Sequence, residues 1–144
     1  MTITKNVINR INAMISDEPP ESGGIIGEGE LEIISEVIFD VRQAVTPSYC
    51  FYSPNVEFLN SKIEVWQREN ILFRGLFHTH FGNTRSLSVA DKKYIIEIMN
   101  NMPECIQYLY FPIFVLPDRE FVVYKAEKNN NGLITIVQDG LTIV

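Results

Sequence analysis

The stretch from His78 to Asp91, HTHFGNTRSLSVAD, limits the possible folds of this chain more than any other part of it. It holds the only two histidines, one residue apart, and follows ILFRGLF, an apolar run of strand length. Side chains alternate along a strand, so His78 and His80 leave from one face and aim two imidazoles at one point. Beyond Ser88, the residues Tyr94, Ile95, Ile98, Met99 and Met102 recur with helical period, and Asp91 falls on that apolar stripe one turn before Ile95. A carboxylate on the buried face of a helix is costly unless a charged or hydrogen-bonding group meets it. A metal ion held by the two histidines would be such a group. Two imidazoles and a carboxylate suit zinc and leave a fourth tetrahedral position for water, which points to hydrolysis. Ser88 and Asp91 also have the spacing of a helix capping box, with Ser88 as the cap and Asp91 three residues on. The two roles are compatible.

The order His-Thr-His, seven residues, Ser, two residues, Asp resembles the JAMM motif of the JAB/MPN metallopeptidases, whose members cleave peptide or isopeptide bonds with one zinc. The resemblance implies His78, His80 and Asp91 as zinc ligands and Ser88 as a donor to the oxyanion of the tetrahedral intermediate. It also implies a glutamate just before a small, aliphatic strand, and PPESGGIIG places Glu21 there. Glu28, Glu30 and Glu36 are rival acids, but they lie past the glycines. Phe81 stands where the family usually has proline, which bears on the rigidity of the following loop and removes no ligand.

At 144 residues the chain reads as one JAB/MPN-like domain, 1–144, large enough to bury a core without staples. No apolar run approaches the ~20 residues that span a bilayer, and the N-terminus lacks a signal-peptide layout, so the expected compartment is the cytoplasm. A net charge of -6 argues against nucleic-acid binding. Cys50 and Cys105 have no metal or redox spacing and read as reduced, mostly buried thiols.

Along the chain, residues 4–16 carry the stripe of an amphipathic helix ending at Pro19-Pro20. The glycines before Ile25 permit another backbone or a ligand to come close. LEIISEVIFDV, from Leu31 to Val41, reads as a strand paired with the one before it. Ser53-Pro54 reads as the start of a helix that buries Val56, Leu59, Ile63 and Trp66. Phe51, Tyr52 and Phe58 are candidates for substrate contact, with core packing as the plainer role. A strand from Cys105 to Leu116 is expected to bend or lie at an edge at Pro112. Strands at Glu120–Tyr124, Leu133–Val137 and Leu141–Val144 complete a meander with hairpin turns at Asn129–Gly132 and Asp139-Gly140.

The expected fold is α/β, a mixed, curved sheet flanked by helices as in JAB/MPN and cytidine-deaminase-like layering, with the site at a sheet edge. The expected activity is zinc-dependent cleavage at the C-terminal tail of a ubiquitin-like or sulfur-carrier β-grasp protein, with Glu21 as general base. Such a tail would add beside a sheet edge, in a narrow groove against the Gly82 to Leu87 loop that favours glycine next to the cut. A zinc hydrolase of another amide, such as a cell-wall fragment, and a zinc-free scaffold are the alternatives.

Overall fold

Alternation along the strands decides the layering. Ile25, Leu76 and Ile113 point into one apolar cluster, and their neighbours Ile26, Phe77 and Phe114 point into another. The sheet is therefore covered on both faces. In the computed structural model, which describes residues 1–41 and 52–144, the elements in order are β1 (Thr2–Ile3), α1 (Lys5–Met14), β2 (Gly23–Glu28), β3 (Ile34–Phe39), α2 (Val56–Arg68), β4 (Leu72–His80), α3 (Val89–Asn101), β5 (Tyr108–Val115), β6 (Glu120–Lys128), β7 (Ile134–Asp139) and β8 (Thr142–Ile143). Val7 and Ile11 of α1 fill one cluster, while Leu59 and Trp66 of α2 and Ile95 and Met99 of α3 fill the other. None of the described helices is long and apolar enough to cross a membrane.

The strand order is β7-β6-β5-β4-β2-β3-β1-β8. Pairing is antiparallel except for β4 with β5, β1 with β3, and β1 with β8. The order forces curvature. Asp139 of β7 and Thr142 of β8 are separated by Gly140 and Leu141 alone, yet their strands stand at opposite ends of the sheet. Three Cα steps reach ~11 Å, whereas seven strand spacings laid flat would cover ~33 Å. The sheet must curl until its two ends meet.

Several expectations change on contact with this topology. Asp139-Gly140 does not close a hairpin; it carries the chain across to β8, which pairs in parallel with β1. Pro112 is not at an edge, because β5 is bonded to both β4 and β6. The β4–β5 ladder pairs Gly75 with Tyr110 and resumes only at His78 and Ile113, so the missing proline donor falls in the gap. Gly75 sits there at φ 143, and a Cβ on it would lie 1.7 Å from the Tyr110 carbonyl oxygen. The strand expected from Leu31 begins at Ile34, because Glu30–Glu32 form a 3-10 turn with Leu31 at φ 60. The second helix starts at Val56, not Pro54, and its cap is Asn55, whose side chain accepts from Phe58 N–H at 3.2 Å. Cys105 is exposed, which corrects its expected burial, and Cys50 lies outside the described residues.

Candidate metal centre

The register of β2 against β4 sets the site. Gly23 pairs with His78, and the ladder continues past it through Thr79 N–H donating to the Ser22 carbonyl at 2.8 Å and Ser22 N–H donating to Thr79 Oγ1 at 2.9 Å. One step further, Glu21 stands opposite His80. Paired residues of an antiparallel ladder share a face, so Glu21, His78 and His80 emerge on the side covered by α2 and α3. The centre therefore lies at the end of an interior strand, with β2 on one side and β5 on the other, and not at the expected sheet edge.

Helix α3 brings the second carboxylate. Ser88 is its N-cap: Ser88 Oγ accepts from Asp91 N–H at 3.0 Å, and Asp91 Oδ2 accepts from Ser88 N–H at 2.7 Å. The same carboxylate reaches both histidines, with His78 Nε2 3.3 Å from Oδ1 and His80 Nε2 3.3 Å from Oδ2. The two Nε2 atoms are 2.9 Å apart. Glu21, His78 and His80 each present a ligand atom within 4.8 Å of the others'. All four side chains thus converge, and Ser88 stands beside them in the loop. The rival acids do not: Glu28 is buried in an ion pair with Arg74 at 2.7 Å, Glu36 lies 3.5 Å from Arg10, and Glu30 is exposed in the turn.

The donor set fits a metal ion. The two Nε2 atoms and the Asp91 carboxylate, one oxygen toward each imidazole, face one point, and two imidazole nitrogens with a carboxylate are ligand types that zinc takes. The tautomer is also set for it. His80 Nδ1 lies 3.2 Å from the Thr84 carbonyl, and since a carbonyl only accepts, Nδ1 carries a proton; a metal at the centre would then take the Nε2 position that now donates to Asp91. Asp91 is ready as an anion: burial would raise its carboxyl, but hydrogen bonds from His78 and His80 hold it well below the usual range. For His80, burial lowers the imidazole, yet the Asp91 hydrogen bond and the Glu21 and Asp91 charges outweigh it and the net shift is upward.

Glu21 is held differently. Burial raises its carboxyl, although the Tyr52 N–H, which donates to Oε2 at 3.1 Å, and the two histidines pull the other way. Tyr52 is a node that the sequence offered as a candidate for substrate contact, with core packing as the plainer role, and did not connect to Glu21. Its ring stacks on His78 with centroids 6.2 Å apart, and its hydroxyl donates to Asp40 Oδ2 at 2.7 Å. Asp40 also accepts from Asn55 N–H at 2.8 Å, so one carboxylate at the end of β3 fixes the approach to α2. Asp40 was missed, and no local pattern marks it, because its partners are 12 and 15 residues away. Gly23 makes room for the ring: a Cβ there would be 2.8 Å from Tyr52. Phe58 packs against the core, and Phe51 lies outside the described residues. Phe81 packs against the α1-side cluster, and the loop after it is tied by Asn83 N–H to the Leu116 carbonyl at 2.9 Å and by Asp118 N–H to Asn83 Oδ1 at 3.3 Å. Those ties hold the loop without a proline.

A cavity of about 270 Å³ opens beside the centre. Glu21, His78 and Asp91 line it together with Tyr52, Leu76, Tyr94, Ile95 and Phe111. Burial pushes the Tyr94 phenol up to about 12, so it stays neutral.

No family model and no curated protein matches the chain by sequence. Solved structures do match its fold over essentially its whole length. A protein of Desulfitobacterium hafniense aligns with TM-score 0.65 at 17% identity, covering 99% of this chain and 92% of that one. A JAB1/MPN domain protein of Archaeoglobus fulgidus aligns with TM-score 0.55 at 17% identity, covering 100% and 99%. A structure described as JAMM, a metalloprotease-like zinc site in the proteasome and signalosome, aligns with TM-score 0.52 at 16% identity, covering 100% and 97%. The chain has the JAB/MPN fold, and its mixed, curled sheet with three described helices is the arrangement expected from the sequence.

Proposed function

We propose that this protein is a zinc-dependent amide hydrolase of the JAMM type, acting as a peptidase or isopeptidase. One observation carries the reading: both imidazoles and the Asp91 carboxylate converge on one point while Glu21, just before β2, stands within reach of both histidines. His78, His80 and Asp91 would hold zinc, which when bound lowers the pKa of a water to ~7 and polarises a carbonyl.

The chain's own groups supply the rest. Glu21, anionic and with a raised carboxyl, takes a proton from the attacking water and then delivers it to the leaving amine, so the one group acts as base and then as acid. Its Oε2 is anchored by Tyr52 N–H, which leaves Oε1 to face the reacting water. Ser88 Oγ accepts from Asp91 N–H, and its hydroxyl proton remains available to donate to the developing oxyanion. Burial of Leu76, Ile95 and Phe111 around the centre lowers the local dielectric and strengthens these interactions.

The substrate we propose is the C-terminal tail of a ubiquitin-like or sulfur-carrier β-grasp protein, a reading that rests on the resemblance of the motif. Because β4 is paired on both sides, such a tail would lie across the centre, not beside β4 as an added strand. The test is elemental analysis of protein purified without chelator, followed by incubation with β-grasp proteins extended beyond their tails, unrelated peptides and cell-wall fragments. About one zinc per chain and chelator-sensitive release from the β-grasp fusions are expected. His78→Ala should lose both zinc and turnover. Cleavage of cell-wall fragments alone would select an amide hydrolase of another class, and a chain that binds no zinc would be a scaffold.

A further inference from the structure

The cavity beside the centre has an uneven wall. Its charged groups are Glu21, His78 and Asp91, and the remainder is formed by Pro54, Leu76, Ala90, Ile95, Phe111 and two tyrosines, with the exposed Ser53 the one further polar residue. The Tyr52 hydroxyl, the polar tip of one of these walls, is turned away onto Asp40. At about 270 Å³ the cavity has room for a large side chain. A charged or amide side chain entering it would give up water without gaining a partner among the apolar residues. A glycine would leave it unfilled. Pro54, Leu76 and Tyr94 also line a second hollow of about 450 Å³ between α2 and α3, whose wall mixes Val56, Leu59 and Ile98 with Asn60, Glu97 and Asn101.

Resting on the hydrolase reading above, we infer that this cavity is a specificity pocket for a large apolar side chain of the substrate, leucine or phenylalanine in class, on a residue adjoining the scissile amide. Consecutive residues of an extended peptide are ~3.3 Å apart, so a side chain seated against Leu76 and Ile95 belongs to a residue within one or two positions of the carbonyl presented to Glu21. The selection falls on a side chain close to the cut, and in a β-grasp fusion that residue is the one that follows the glycine tail.

The probes are N-acetyl-Gly-Gly-Xaa-Gly amides with Xaa as glycine, alanine, leucine, phenylalanine or aspartate. Their binding to Glu21→Gln is measured by calorimetry, with zinc and with chelator, so that the readout does not depend on turnover. Leucine and phenylalanine peptides should bind at least about 10-fold more tightly than glycine or aspartate peptides, the scale on which an apolar pocket discriminates. In a second protein, Ala90→Leu in the same background, a leucine side chain at the exposed mouth should occupy the pocket and abolish that preference, with a thermal melt confirming the fold. Equal binding of all five peptides, no binding of any, or an unchanged preference in the Ala90→Leu protein would overturn the inference. Peptides that bind with the expected preference and are never cleaved by the zinc-loaded native chain would leave the pocket standing and remove the hydrolase reading.

Discussion

Glu21 carries its charge where burial resists it. Its folded-state carboxyl lies above the ordinary value of 4.5, so it favours the fold in its protonated form, and the stability it contributes is lost as pH rises through the raised value. A neutral amide does not titrate. In chelator-treated protein, Glu21→Gln should therefore raise Tm near pH 7 and change it little near pH 3.5, where the acid is protonated in both states. A lower Tm at neutral pH would show that the Tyr52 N–H contact outweighs burial. The same variant should keep zinc while turnover falls by about 10²–10⁴-fold, the usual contribution of a general acid-base group. A charge that costs stability and is needed for turnover is the expected mark of a functional residue.

Among the elements, α3 is the one whose start serves two purposes. Its cap and its proposed ligand are the same pair, Ser88 and Asp91. Removing the cap hydroxyl in Ser88→Ala should cost about 1 kcal/mol of stability and, if it also steadies the oxyanion, about 10²–10³-fold in turnover with zinc retained. Ser88→Thr keeps a hydroxyl and should recover most of both, as read by chemical denaturation and steady-state kinetics. A full loss of turnover in both would assign the serine a packing role. In β4, Gly75→Ala would place a methyl 1.7 Å from the Tyr110 carbonyl at a φ of 143, and denaturation should register a loss of several kcal/mol. The capping box, the histidine spacing and the α3 stripe were legible because each is written within a few consecutive residues. Asn55 as the cap of α2 was not, since it is selected by Asp40 accepting its N–H from across the chain. Nor was the interior place of β5, because the gap that accommodates Pro112 lies beside Gly75, 37 residues earlier.

For the whole molecule, periodicity gave strands flanked by helices and the JAB/MPN resemblance implied a curved sheet, but the order of the strands was not legible, since periodicity reports which side a residue faces and not which strand lies beside it. The place of β8 could not be read from the four residues at Leu141 to Val144. Its pairing with β1 has a consequence for the order of events in folding. Thr142 N–H bonds the Met1 carbonyl and Val144 N–H the Ile3 carbonyl, contacts between residues 141 apart in sequence, both made at 2.9 Å. Loop-closure entropy delays such contacts, and a ladder two residues long gives little in return. The ring of strands should close last and open first. Hydrogen exchange at Thr142 and Val144 is expected to proceed through local opening well below the global unfolding free energy, while the amides of Phe77 and Ile113 exchange only through the global event. Uniform protection across all four would mean that closure is part of the cooperative unit, and the folding nucleus would then have to include the two strands most distant in the chain.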